Sequence, residues 1–122
     1  MNEHLRNHHK LLVTIVKKGN AKKILKASKE AGAEGGTVIY GKGTGIHENR
    51  KFLGISIEPE KEAVLTLIPM EKLDIVIRAV EKAANLDKPG YGIGFVVDVK
   101  RVAGIAHLLN LQSSETGGNN GR

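Results

Sequence analysis

Two glycine-rich runs hold the residues whose types and spacing could do chemistry: GKGTGIHENR at 41–50 and DKPGYGIG at 87–94. Glycines let backbone N–H groups turn toward a ligand and let a phosphate approach with no Cβ in the way. Lys42 in the first run and Lys88 in the second would add positive charge. Neither run is a P-loop, because no Gly-Lys-Ser/Thr closes it, and neither lies between a strand and a helix as a dinucleotide fingerprint requires. Ordinary turns are the plain alternative.

Other constellations carry less. The histidines are His4, His8, His9, His47 and His107. His4 and His8 have i, i+4 spacing but fall in a polar terminus, so no metal site is expected there. His47 is the exception worth testing, although a solvent-facing loop histidine is the more common outcome. Glu58, Glu60 and Glu62 alternate around Pro59 and Lys61, the pattern of a solvated strand start more often than of an acid/base pair. Ser28 and Ser56 have no histidine at a recognisable motif spacing, so nucleophilic catalysis has no support in the sequence.

The 122 residues fit one domain. With 40% apolar and 26% charged residues and no apolar run near the ~20 needed to span a bilayer, a soluble protein is expected. Residues 1–9 lack the apolar segment of a secretory signal, and the absence of cysteine excludes disulfides, thiolate zinc sites and cysteine nucleophiles. A cytoplasmic location is the resulting expectation. The 19 Lys and Arg exceed the 13 Asp and Glu, and the excess lies in residues 1–55, with 11 basic and 4 acidic side chains. A nucleic-acid surface is disfavoured, because Tyr40, Phe52, Tyr91 and Phe95 are the only aromatic residues available for stacking.

Positioning the two loops requires regular elements on either side. Leu11 to Val16 is a β-branched apolar run of strand length. Asn20 is a plausible N-cap for a helix on which Ala21, Ile24, Leu25, Ser28 and Ala31 form one stripe, with Lys22, Lys23, Lys26 and Lys29 on the wet side and Gly32 as terminator. Thr37 to Tyr40 reads as a second strand. After a stretch rich in glycine the order repeats, with a strand from Ala63 to Ile68 and a helix from about Glu71 to Asn85 striped by Leu73, Val76, Ile77, Val80 and Ala84. A strand from Phe95 to Val99 closes the series. Two βαβ units in one compact chain predict an α+β, ferredoxin-like βαββαβ fold: a four-stranded antiparallel sheet with two helices on one face. A parallel doubly wound sheet would need a third helix between Tyr40 and Ala63, where five glycine and proline residues show no helical period.

In that fold the exit of the second strand and the entry of the fourth lie at one end of the sheet but on opposite edges, about 14 Å apart across three strand spacings. One copy could hardly close both loops on one small ligand. A head-to-tail neighbour in a closed ring would bring the two edges together and build a cleft between subunits.

GGTVIYGKGTG at 35–45, PEKEAVLTLIP at 59–69 and LDKPGYGIGFVVDV at 86–99 resemble the P-II family of nitrogen regulatory signalling proteins over about residues 10–102. The resemblance implies a domain at 10–111 between a polar extension at 1–9 and a disordered tail at 112–122. It implies a homotrimer that binds an adenine nucleotide between subunits. Residues 41–60 would be the T-loop that such proteins insert into partners, often membrane transporters or channels, without inserting into the membrane themselves. Its glycines Gly41, Gly43, Gly45 and Gly54 suit a change of order on binding. Residues 86–94 would be the B-loop. By the same resemblance Gly35, Gly36 and Thr37 line the adenine pocket, Gly45 and His47 lie at the T-loop base near phosphate, and Gly90 and Gly92 offer backbone amides, with Lys88 beside them.

The departures from the family pattern also carry information. The T-loop is shorter than in classical members and has no tyrosine, so uridylylation at a T-loop tyrosine has no acceptor. The family's B-loop lysine falls on Ile93, and its two arginines after the last strand fall on Gly104 and Ala106. Each charge-assisted phosphate contact is worth about 1.5–3 kcal/mol. Unless Lys88, Lys100, Arg101 or Lys42 substitutes, ADP, AMP or cyclic AMP is expected in preference to ATP, with no metal. The family's 2-oxoglutarate glutamine is matched by His47 and its lysine by Lys61, so coordination of 2-oxoglutarate through Mg-ATP is not expected. The implied function is a non-enzymatic sensor. The alternative is a metal-responsive trimer of the divalent-cation tolerance type, with His47 and T-loop carboxylates as ligands.

Overall fold

The computed structural model describes residues 8–45 and 50–104. Strand β1 (His9–Lys17) leads to helix α1 (Ala21–Glu30) and strand β2 (Gly36–Lys42). Two short strands, β3 (Arg50–Phe52) and β4 (Ile55–Ile57), precede β5 (Glu60–Pro69). A 3₁₀ turn (Met70–Lys72), helix α2 (Leu73–Ala84) and strand β6 (Gly92–Asp98) complete the order. The main sheet is antiparallel in the order β2-β5-β1-β6, with both helices on one face, and β3 and β4 pair separately with each other. The expected α+β, ferredoxin-like arrangement is therefore the observed one.

The amphipathic stripes meet where their periods place them. Ile24 of α1, Val76 and Val80 of α2, and Leu12, Val16, Val64 and Ile68 of the sheet form one core, with Leu25, Val38, Leu73, Ile77 and Leu86 packed at its margin. Each large aliphatic side chain buried there is worth about 1.5–3 kcal/mol. Lys22, Lys23, Lys26 and Lys29 are exposed, as the wet face of α1 should be.

The other face of the sheet is also apolar. Pairing aligns Thr37, Leu65, Val13 and Phe95 in one row across the four strands, and Ile39, Ala63, Ile15 and Ile93 in the next. Among the described residues no helix covers these rows, and Ile93 is 57% and Phe95 43% exposed. Two-sided apolar strands explain why the sequence runs at 11–16 and 63–68 are continuous and not alternating.

Several expectations need adjustment. Strand β1 takes in His9, which is buried, two residues before the apolar run at 11–16. Strand β6 begins at Gly92 and ends at Asp98, earlier than the apolar run implied, because glycines that carry no hydrophobic signal still pair with β1. Asn20 occupies the N-cap position of α1, but its side chain turns back and donates to the Lys17 carbonyl at 3.0 Å. The cap is supplied by Glu62, whose Oε1 accepts the Ala21 N–H at 2.8 Å. Glu62 is thus buried and not part of a solvated face, whereas Glu58 and Glu60 are exposed.

Candidate functional site

At one end of the sheet, β1 finishes, β2 exits, β5 enters and β6 starts. The stem of the loop between β2 and β5 is zipped by backbone bonds: Lys42 pairs with Glu60, and the Gly43 N–H donates to the Pro59 carbonyl at 3.1 Å. The Lys18 N–H reaches across to the Glu60 carbonyl at 3.2 Å, tying the end of β1 to the same stem. The side chains repeat the link, with Lys18 Nζ 2.8 Å from Glu60 Oε1. That hydrogen bond and the charges behind it hold the Glu60 carboxyl below its usual range and the Lys18 ammonium above its own.

Around the stem lies an open cleft of about 580 Å³ lined by Lys18, Tyr40, Gly41, Lys42, Glu60 and Lys61. Lys18 is engaged by Glu60, so the net positive charge of the lining comes from Lys42 and Lys61, with Tyr40 exposed beside them.

On the opposite edge, at the same end, is a smaller hollow of about 210 Å³ lined by Lys17, Asn20, Lys23, Ala84, Gly90 and Tyr91. The loop before β6 forms its rim. It is shaped by turns in which Lys88 N–H donates to the Asn85 carbonyl at 3.1 Å and Tyr91 N–H to the Lys88 carbonyl at 3.4 Å. The Lys88 ammonium stands 6.0 Å from the Tyr91 ring centroid, at the outer reach of a cation–π contact.

The expected site residues divide into three groups. Lys88, Gly90 and Gly92 lie together at the β6 edge, and Gly45 lies just beyond the T-loop stem at the β2 edge. Gly35, Gly36 and Thr37 lie at the far end of β2, about 20 Å along the strand from Lys42. His47 lies outside the described residues, as does Ala106. Packing also requires Gly92, where a Cβ would meet the Ile15 carbonyl oxygen at 2.7 Å, and it crowds Gly36, where a Cβ would lie 3.1 Å from the Leu65 carbonyl oxygen. Ile93, on the position of the family lysine, lies in an apolar row of the uncovered sheet face.

Nothing in the sequence marks Lys17, Lys18, Lys23 or Tyr40 as site residues. Lys17 and Lys18 ended an apolar run, Lys23 belonged to a wet helix face, and Tyr40 sat inside a strand. Only the pairing of β1 with β5, and of α1 beside the B-loop, brings them to the hollows. The chemistry available is anion holding by lysines and loop amides. The Ser28 hydroxyl, by contrast, is buried and donates to the Leu25 carbonyl at 3.0 Å, which leaves it no role as a nucleophile.

No curated protein matches the chain. A model of the family described as nitrogen regulatory protein P-II matches residues 9–107, a span that holds the whole sheet, both helices and both loops. The chain therefore belongs to the nitrogen regulatory protein P-II family.

Proposed function

We propose that this signal-transduction regulator works as a homotrimer that binds an adenine nucleotide between subunits and reports it to a partner, a membrane transporter or channel, through the T-loop. One observation carries the reading. The two cationic hollows lie at the same end of the sheet on opposite edges, so a single copy holds two halves of a site. A neighbour placed head to tail brings the T-loop stem of one copy to the B-loop of the next. The uncovered apolar face supports the same assembly, because rows such as Leu65, Val13 and Phe95 need an apolar partner.

The ligand follows from the cations. With Ile93, Gly104 and Ala106 on the family's three phosphate-binding positions, the charge left is that of the lysines around the hollows. ADP or AMP, or cyclic AMP, fits that smaller complement better than ATP. No residue set favours catalysis, and the role proposed is sensing.

Isothermal titration of the purified chain with AMP, ADP, ATP and cyclic AMP tests the reading. Binding of a mono- or diphosphate at least tenfold tighter than ATP is expected. Absence of binding to all four at millimolar ligand would overturn it.

A further inference from the structure

Every residue of β6 is exposed, and among the described residues the core draws side chains from β1, β5 and both helices but none from β6. One side of the strand carries Ile93 and Phe95 of the apolar rows. The other side faces α2 with Gly92, Gly94 and Val96, the first two without a side chain and the third 40% exposed. Between these residues and α2 runs a trough of about 350 Å³, walled by Ile77, Val80 and Leu86 with Leu12 at its base. Nothing in the backbone requires a glycine at 94. Its φ is not positive, and a Cβ there would make only ordinary contacts, with Leu86 Cδ1 at 3.4 Å and Leu12 Cδ1 at 3.9 Å. The missing side chain keeps open a space whose apolar walls favour an apolar occupant over water.

The chain itself carries a match. Beyond the described residues, 1–7 and 46–49 are mostly polar, whereas 105–111, IAHLLNL, brings Ile105, Ala106, Leu108, Leu109 and Leu111. It bears no carboxylate to oppose Glu81, the charged residue that lines the trough. Reach is sufficient as well. Strand β6 ends at Asp98, beside the Val96 end of the trough, and six residues separate it from Ile105. Six extended residues cover about 20 Å, enough to reverse direction over a strand end. Gly104, with φ of +80°, supplies a turn where the segment begins. From Val96 back to Gly92 the trough is about 13 Å long, and seven residues cover about 10 Å as helix or about 23 Å as strand. The three leucines also lie beyond residue 107, where the match to the family ends.

We propose that residues 105–111 fold back within the same copy and lie in the trough between β6 and α2, with leucine side chains in the space above Gly94. The short tether favours the same copy over a neighbour, because it holds the segment at high local concentration. So placed, the segment holds Leu86 and Gly92, which bracket Lys88 and Gly90. The inference is independent of the nucleotide reading, since it uses the helix side of the sheet and the ring uses the other face.

The chain has no cysteine, so two introduced cysteines report a single contact. In the full chain, Glu81→Cys is combined in turn with Leu108→Cys, Leu109→Cys and Leu111→Cys. Glu81 is exposed, so its replacement leaves the core intact. Under mild oxidation at least one pair should form a disulfide within one chain, about tenfold faster than the same partner does with Lys82→Cys, on the exposed side of α2 outside the trough. A second full-chain variant combines Leu108→Asp, Leu109→Asp and Leu111→Asp. It should keep the circular dichroism of the wild type, while amide exchange over residues 92–98 becomes about tenfold faster. The proposal is overturned by the absence of a disulfide in all three pairs, or by rates equal to those with Lys82→Cys. Disulfides that join separate chains overturn it too, and assign the trough to a second copy. So does unchanged amide exchange in the aspartate variant.

Discussion

The Glu62 carboxylate accepts the Ala21 backbone N–H at 2.8 Å, joining residues 41 positions apart at the point where α1 begins. Both residues are buried. The bond satisfies one of the donors that a helix start leaves without an intrahelical partner, and it puts negative charge where the helix dipole favours it. Because Glu62 sits on β5 two residues after Glu60, the same strand segment anchors α1 on the core side and Lys18 on the surface.

Glu62→Ala should therefore lower the free energy of unfolding by about 1.5–3 kcal/mol, the range for a hydrogen bond to a charged group. Glu62→Gln keeps an acceptor and should lose less. Urea denaturation of the two variants measures the difference. A loss in Glu62→Ala within about 0.5 kcal/mol of zero, typical of a neutral surface site, would mean the bond contributes nothing.

Lys10 Nζ lies 2.7 Å from Asp98 Oδ1, and this hydrogen bond and charge hold the Asp98 carboxyl below its usual range. Glu60 is lowered in the same way by Lys18. A carboxyl lowered on folding adds stability that is complete above its ordinary value and is lost as pH falls through the lowered one. For Lys18 the sign reverses: its contribution is complete below the ordinary lysine value and is lost only as pH rises through the raised one. NMR titration should find the Asp98 midpoint low in the wild type and moved up toward the ordinary aspartate value in Lys10→Gln. An unmoved midpoint would assign the shift to another cause. Both pairs are solvent-exposed, so the effect on overall stability should be small.

Phe95→Glu places a charge in the row that runs from Phe95 through Val13 to Leu65 on the uncovered sheet face. The single copy should fold, because this side chain does not enter the core between sheet and helices. Sedimentation should shift from a trimer to a monomer. A wild-type chain that sediments as one copy while retaining full ligand affinity would contradict the shared site.

Lys88→Ala should weaken nucleotide affinity, by roughly tenfold for the loss of one charged phosphate contact of about 1.5 kcal/mol. Trimer formation should not change, because Lys88 is exposed in the B-loop and outside the apolar rows. Calorimetry alongside sedimentation reads both outcomes. Equal affinity would move the phosphate role to a cation that lines the hollow, such as Lys23.

The β3–β4 hairpin shows where reading the chain alone stops. Its sequence, RKFLGISI, lacks the Asn-Gly or Asp-Gly pair that announces a tight hairpin, and leucine opens the turn instead. A glycine-rich stretch with no helical period was the available description. The strands inside it became visible only through their mutual pairing. Glu62 illustrates the complementary failure: its alternation with Glu58 and Glu60 looked like a wet strand edge, and nothing within a few residues pointed to a helix start 41 positions earlier.

The sequence by itself determined the order and kind of the six main elements, because short continuous apolar runs and a hydrophobic period of about three and a half are local and survive without knowledge of neighbours. It also determined the two glycine loops, since those are matters of residue type at a position. The tertiary structure alone decided which lysines share a hollow, which carboxylate caps α1, and that the sheet has a second apolar face that no described helix covers. Those facts depend on strand register and on contacts between residues far apart in the chain, and a pattern read a few residues at a time contains neither.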